Sequence, residues 1–307
     1  MAYTTGTCTG HLALLDALKT FLEAQGWTTK RYTTGDVYEY VAMGPGLTGT
    51  DEIYIGIRAI TNTSVPYYNW NLRGYTGYSS SLDFLTQPGS ILQSGANIPS
   101  LLLTNGSIQY WFVANTRRVI IIAKCGLSYE CAYLGLILPY APELQISYPL
   151  FIGGSHVSGA VAYTTQDYDH FSFWNPQTST TSLIPQSVFL ANNTWLKVVN
   201  RGGDGNGLVI HPYCGLPSSE GETTITMTNF FAIRENIDGS YPLFPCRVMS
   251  NEALAARGIY GELDGVYGIP VWGFMAEDTI TIDSAIYVIV PSAFRTSRQS
   301  YAAIRLV

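Results

Sequence analysis

Between Asp83 and Arg117 the chain passes through 33 residues, 84–116, without one Lys, Arg, Asp or Glu. A stretch like that has to be kept out of water. Lipid is not the cover, because Gln, Asn, Ser, Gly and Pro break every apolar run before it reaches the roughly 20 residues of a spanning helix; no membrane insertion is expected. The scarcity of charge is general, at 12% of all residues against about 25% in an ordinary soluble domain. The simplest cover left is other protein chains, so the composition points to assembly.

At 307 residues the chain is long enough for one large or two moderate domains. Net charge is −6, and no run of basic residues is longer than a pair such as Arg117-Arg118. Nonspecific nucleic-acid binding needs a basic stripe that neutralises many phosphates, so no nucleic-acid partner is expected. The five cysteines are Cys8, Cys125, Cys131, Cys214 and Cys246. The opening residues have neither the basic nor the apolar region of an export signal, so free, buried thiols are expected. The exception to weigh is a Cys125–Cys131 bridge across a tight hairpin. On the same ground the sequons at Asn62, Asn105 and Asn192 carry no meaning.

One segment has helical period. Over 10–25, Leu14, Leu15, Leu18, Phe21 and Leu22 fall on one face. Thr9 is placed to cap the start, Gly26 to end the helix in a left-handed turn, and Trp27 to fold back on it. After it the period becomes 2. Ile53, Ile55, Ile57 and Ala59 alternate with Tyr54, Gly56 and Arg58, as in a half-buried strand, with 36–43 as hairpin partner. Further strands are expected at 108–114, 119–125, 131–138, 157–164, 194–200, 208–210, 223–233, 279–282, 285–290 and 301–307, with Asp283-Ser284 as a tight turn. A short second helix is expected at 251–257, between Ser250 and Gly258. The fold class is mainly β: antiparallel β-sandwich or barrel-like domains with one N-terminal amphipathic helix. The Pro-rich segment 138–143 divides residues 1–145, the helix plus a β domain, from a second β domain at 146–307. A further joint is expected near 241–245.

Chemistry-bearing residues are scattered. Asp167, Asp169 and His170 lie within four residues, but in extended chain the two acids share a face and the imidazole points away. A general acid–base pair would need a distant partner. His211 and Cys214 lack the second ligand pair of a structural zinc site. Glu262 and Asp264 stand between glycines, where carboxylates commonly bind backbone amides, and glycosidase pairs usually come from separate elements. The 201–207 turn has too few acids for a calcium loop, and 44–50 lacks the lysine of a phosphate loop. No catalytic residue, metal or cofactor is assigned, and no enzyme activity is expected.

Aromatic residues are the richer signal. Tyr67, Tyr68, Trp70, Tyr75 and Tyr78 lie among Asn, Gly and Ser in a charge-poor stretch read as a loop. Three readings stay open: anchors of a protein interface, a stacking surface for sugar rings, or core packing of a long loop.

Several stretches converge on one family. Tyr110-Trp-Phe-Val-Ala-Asn-Thr-Arg-Arg-Val-Ile-Ile-Ile-Ala-Lys124, Tyr129-Glu-Cys-Ala-Tyr-Leu-Gly-Leu-Ile-Leu-Pro-Tyr140 and Tyr148-Pro-Leu-Phe-Ile-Gly-Gly154 resemble structural virion proteins of tailed bacteriophages. So do Ile259-Tyr-Gly-Glu-Leu-Asp-Gly-Val-Tyr267, Glu277-Asp-Thr-Ile280, Phe294-Arg-Thr-Ser-Arg298 and Tyr301-Ala-Ala-Ile-Arg305. The opening helix with Gly26-Trp27 fits the same pattern. The resemblance implies a tail-tip, baseplate or fibre-attachment component assembled in the host cytoplasm and located in the virion. It implies a homo-oligomer whose partners are other tail or baseplate proteins, holding neighbours together without catalysis. The alternative is a receptor-binding tail module that grips host surface glycan.

Overall fold

The structure is a computed structural model. It describes residues 1–46, 51–90, 98–140, 149–156, 160–165, 170–175, 186–189, 195–197, 207–213, 237, 240, 242–252, 255–270, 273–293 and 301–307. In chain order the elements begin β1 (Ala2–Thr9), α1 (Gly10–Ala24), β2 (Thr28–Thr33), β3 (Tyr38–Gly44), β4 (Ile53–Asn62), β5 (Tyr67–Tyr75) and β6 (Ser100–Leu101). There follow β7 (Ser107–Ala114), β8 (Arg118–Cys125), β9 (Ser128–Leu136), β10 (Leu138–Pro139), β11 (Leu150–Gly153), β12 (Gln186–Phe189) and β13 (Trp195–Lys197). The last are β14 (Gly207–His211), β15 (Phe244–Glu252), β16 (Ala255–Gly268), β17 (Thr279–Ile282), β18 (Ala285–Val290) and β19 (Ala302–Arg305). The fold is mainly β, and among the described residues every strand pairing is antiparallel.

Three sheets make three layers. The central one runs β1-β7-β8-β9-β11-β12-β13. One of its faces, with Phe112, Ile121 and Leu134, packs on α1 and on the sheet β2-β3-β4-β5-β6 through Leu18, Ile55 and Trp70. The other face, with Val113, Ile122 and Tyr133, packs on the sheet β14-β15-β16-β19-β18-β17 through Val248, Val266 and Ile304. A strand covered on both faces reads as a continuous apolar run, which is why Val119-Ile-Ile-Ile-Ala123 shows no alternation. The charge-free stretch therefore owes much of its composition to the chain's own outer sheets. Phe84, Leu101, Leu102, Leu103, Ile108, Phe112, Val113 and Ala114 are all fully buried without a second molecule.

The helix behaves as its sequence predicts. Leu14, Leu15, Leu18, Phe21 and Leu22 are buried. Gly26 has φ +84°, and the Trp27 amide donates to the Leu22 carbonyl at 3.0 Å, closing the C-terminal motif. Trp27 then enters the core, and its Nε1 donates to the Asn115 carbonyl at 2.8 Å. Thr9 holds the N-cap position without a side-chain hydrogen bond.

Several expectations need correction. Strand pairing crosses the boundary expected at 145/146, since β11 adds to β9, and both cores draw residues from either side of it. The helix expected at 251–257 gives way to a hairpin in which Asn251 lies opposite Ala256 and Glu252 opposite Ala255. An isolated helical turn has too few hydrogen bonds to hold against two long paired strands. Of the strand expected at 157–164, residues 160–164 form turns and a bend instead, and 157–159 lie outside the described residues. Residues 67–75 form strand β5 in place of a loop. The strand expected at 223–233 lies outside the described residues. Cys125 and Cys131 are free thiols on opposite faces of the central sheet, because six residues apart on a two-residue hairpin they pair with Ser128 and Ile122. No helix among the described residues is long and apolar enough to cross a membrane.

Candidate functional site

A charge inside an apolar strand demands a partner. Glu130, the third residue of β9, is fully buried, as are Ser155 and His170. His170 Nε2 lies 2.7 Å from Glu130 Oε1, Ser128 Oγ donates to the same oxygen at 2.6 Å, and Ser155 Oγ donates to Oε2. His170 Nδ1 faces the Thr165 carbonyl at 2.8 Å, and the His156 ring stands edge-on to His170 at 5.8 Å. Burial works to raise the Glu130 carboxyl, but the His170 ring beside it and the three hydrogen bonds outweigh that and hold it below the usual range. Burial pushes the neighbouring Cys131 thiol well up, so it stays protonated and unreactive.

His170 thus finds the distant partner that an acid–base pair would need. The order of the groups nevertheless differs from that of a nucleophilic triad, in which imidazole takes the serine proton. Here the carboxylate sits between serine and imidazole and accepts from both. With all three side chains sealed from solvent, the arrangement is a strut joining β9 to the 155–156 and 170–175 segments. Asp167 and Asp169 lie outside the described residues.

A second strut joins the central sheet to β16. Arg118 is fully buried; its Nε donates to Asp264 Oδ2 at 3.3 Å and its Nη1 to the Val113 carbonyl at 3.2 Å. Asn115 Nδ2 donates to the same Asp264 oxygen at 2.8 Å, and Arg117 Nη2 at 3.3 Å. Burial works to raise the Asp264 carboxyl, and the two guanidinium groups more than offset it, leaving it below the usual range. Glu262, two residues away, instead accepts from Tyr140 Oη at 2.7 Å, so the two carboxylates of this turn do not converge. In a third strut Glu277 accepts from Lys124 and Tyr129.

The five aromatic residues do not make one surface. Trp70 is fully buried in the core between α1 and the central sheet, and its Nε1 donates to the His11 carbonyl at 3.1 Å. Tyr75 is buried on the opposite face of its sheet, where its hydroxyl donates to the Phe84 carbonyl at 2.8 Å and the 76–90 segment folds over it. For these two residues, core packing is the reading the structure supports. Tyr67, Tyr68 and Tyr78 are half-buried. Tyr68 lies 5.5 Å from the His11 ring, and Tyr67 Oη accepts from Asn62 Nδ2 at 3.2 Å.

His211 is half-buried, and burial together with the Arg247 charge lowers its pKa; Cys214 lies outside the described residues. No group of three His, Cys, Asp or Glu among the described residues is placed to hold a metal ion. Sequence reasoning passed over Arg118, Glu130 and Ser155. The available signal was the charge at 130 within an apolar strand and at 118 opening one, since such residues are almost never buried unless paired. No protein-family model matches the chain, and no curated protein is significantly similar to it.

Proposed function

We propose that the protein is a structural component of a bacteriophage tail or baseplate that holds neighbouring virion subunits in register and catalyses nothing itself. Its resemblance to tailed-phage virion proteins supplies the class. The observation that carries the mechanical role is the pair of struts centred on Asp264 and Glu277, which tie the central sheet to β16 and to the segment before β17, while Glu130 braces β9 from within. A chain braced in this way transmits load between its faces without changing shape. The reading of a glycan-binding tail module is the weaker one, because Trp70 and Tyr75, two of its five aromatic platforms, are buried in the fold.

The test is to purify intact tailed particles from the source lysate by sedimentation and identify their polypeptides by peptide mass spectrometry. Several copies of this chain per particle are expected. Its absence from particles with complete tails overturns the proposal.

A further inference from the structure

β1 ends the central sheet. One edge pairs with β7 in unbroken register from Ala2 opposite Ala114 to Thr9 opposite Ser107. No strand among the described residues pairs with its other edge. None of its eight residues is buried, and Tyr3, Thr5, Thr7 and Thr9 are exposed. The ladder continues into Gly10, whose amide donates to the Gly106 carbonyl directly opposite at 2.8 Å. Antiparallel ladders alternate, so even-numbered positions bond to β7 and the backbone N–H and C=O of Tyr3, Thr5, Thr7 and Thr9 point outward.

Exposed edges are templates for strand addition, and proteins protect them with charge, bulges or short length. Among the described residues the other sheet edges are shorter or charged; β14, at five residues, is the longest uncharged one. β2 carries Lys30 and Arg31, with a register shift between Thr29 and Arg31. β6 has two residues, β13 three and β17 four. β1 has eight residues and, reading Ala-Tyr-Thr-Thr-Gly-Thr-Cys-Thr, contains no charge, proline or bulge.

We infer that β1 is a dimerisation edge, pairing antiparallel with β1 of a second copy and joining two central sheets into one. The occupant is a second copy because the edge is self-complementary. Under a two-fold axis each outward N–H meets an outward C=O of the same strand reversed. With odd positions facing one another, only Tyr and Thr come opposite Tyr and Thr, so no like charges meet and threonine pairs can hydrogen-bond across the junction. The inference does not depend on the virion reading, since a chain absent from particles would dimerise equally well.

The full chain is tested by sedimentation equilibrium at concentrations from about 1 to 100 μM, a span that covers typical reversible association. A mass rising to twice 33.6 kDa is expected. Thr5→Pro removes an outward N–H at an edge position where proline is tolerated, and Thr7→Lys sets like charges across the junction; each should weaken association at least tenfold. Hydrogen exchange on the wild type should show the Thr5 and Thr7 amides protected at high concentration and exposed on dilution. If Thr5→Pro does not fold, Thr7→Lys and the exchange data decide. A monomer at the highest concentration, or an oligomer that Thr7→Lys leaves intact with no change in those amides, overturns the inference.

Discussion

A Cβ placed on Gly265 would lie 2.6 Å from Arg118 Nη2. The missing side chain is what lets the buried guanidinium extend along β16 to Asp264. Gly265 also has φ +80°, a conformation that penalises any other residue. Gly265→Ala should therefore lower stability by about 2–4 kcal/mol, combining backbone strain with the clash. Urea denaturation of the two proteins measures it. A midpoint unchanged from wild type would mean that the Arg118 strut carries no structural load.

Removing the Glu130 carboxylate by Glu130→Ala leaves His170, Ser128 and Ser155 buried without their common acceptor. The expected loss is about 3–5 kcal/mol, the range for breaking a buried pair. The group's pKa is held below its unfolded value, so its contribution is present above the unfolded carboxylate range and disappears as pH falls through the folded value. Glu130→Gln should accordingly show a shallower acid limb than wild type in stability measured from pH 6 to pH 2.

His11 titrates in a different window. Burial lowers it to about 4, against about 6.5 for an unfolded histidine. Between these values the unfolded chain takes up a proton that the folded chain refuses, so stability drops as pH falls from 6.5 to 4. The change is about 3 kcal/mol at most. In His11→Gln this part of the stability–pH curve should flatten, while the limb below pH 4 keeps its slope. Thermal melts across the range give the comparison.

Trp70 and Tyr68 separate core from surface within one strand. Trp70→Ala empties a fully buried site and should cost about 3–5 kcal/mol, read as a lower thermal midpoint. Tyr68→Ala, half-buried beside His11, should cost about 1 kcal/mol. Equal losses would contradict the layer assignment of β5.

Local order was legible where neighbouring residues alone decide it. The spacing of Leu14, Leu18 and Leu22 with Gly26 and Trp27 gave a helix and its stop. The alternation of Ile53, Ile55 and Ile57 gave a strand, and Asp283-Ser284, both with positive φ, gave the tight turn between β17 and β18. Strands whose stability comes from distant partners were harder. β1 is half threonine and shows no apolar alternation, and β5 hides Trp70 and Leu72 among asparagines. The alanine-rich 251–257 segment has a helical composition that pairing between β15 and β16 overrides.

By its residue pattern alone the sequence determined a mainly antiparallel β protein with an N-terminal helix, because side-chain period records which backbone geometry buries which face. It also determined that the middle of the chain must be covered. Only the tertiary structure decided what covers it: two sheets of the same chain, one on each side of β7, β8 and β9. Apolar composition measures the area withdrawn from water and is blind to the origin of the covering surface. The same holds for Glu130, His170, Arg118 and Asp264, whose pairing depends on strands up to 146 residues apart in sequence coming into contact.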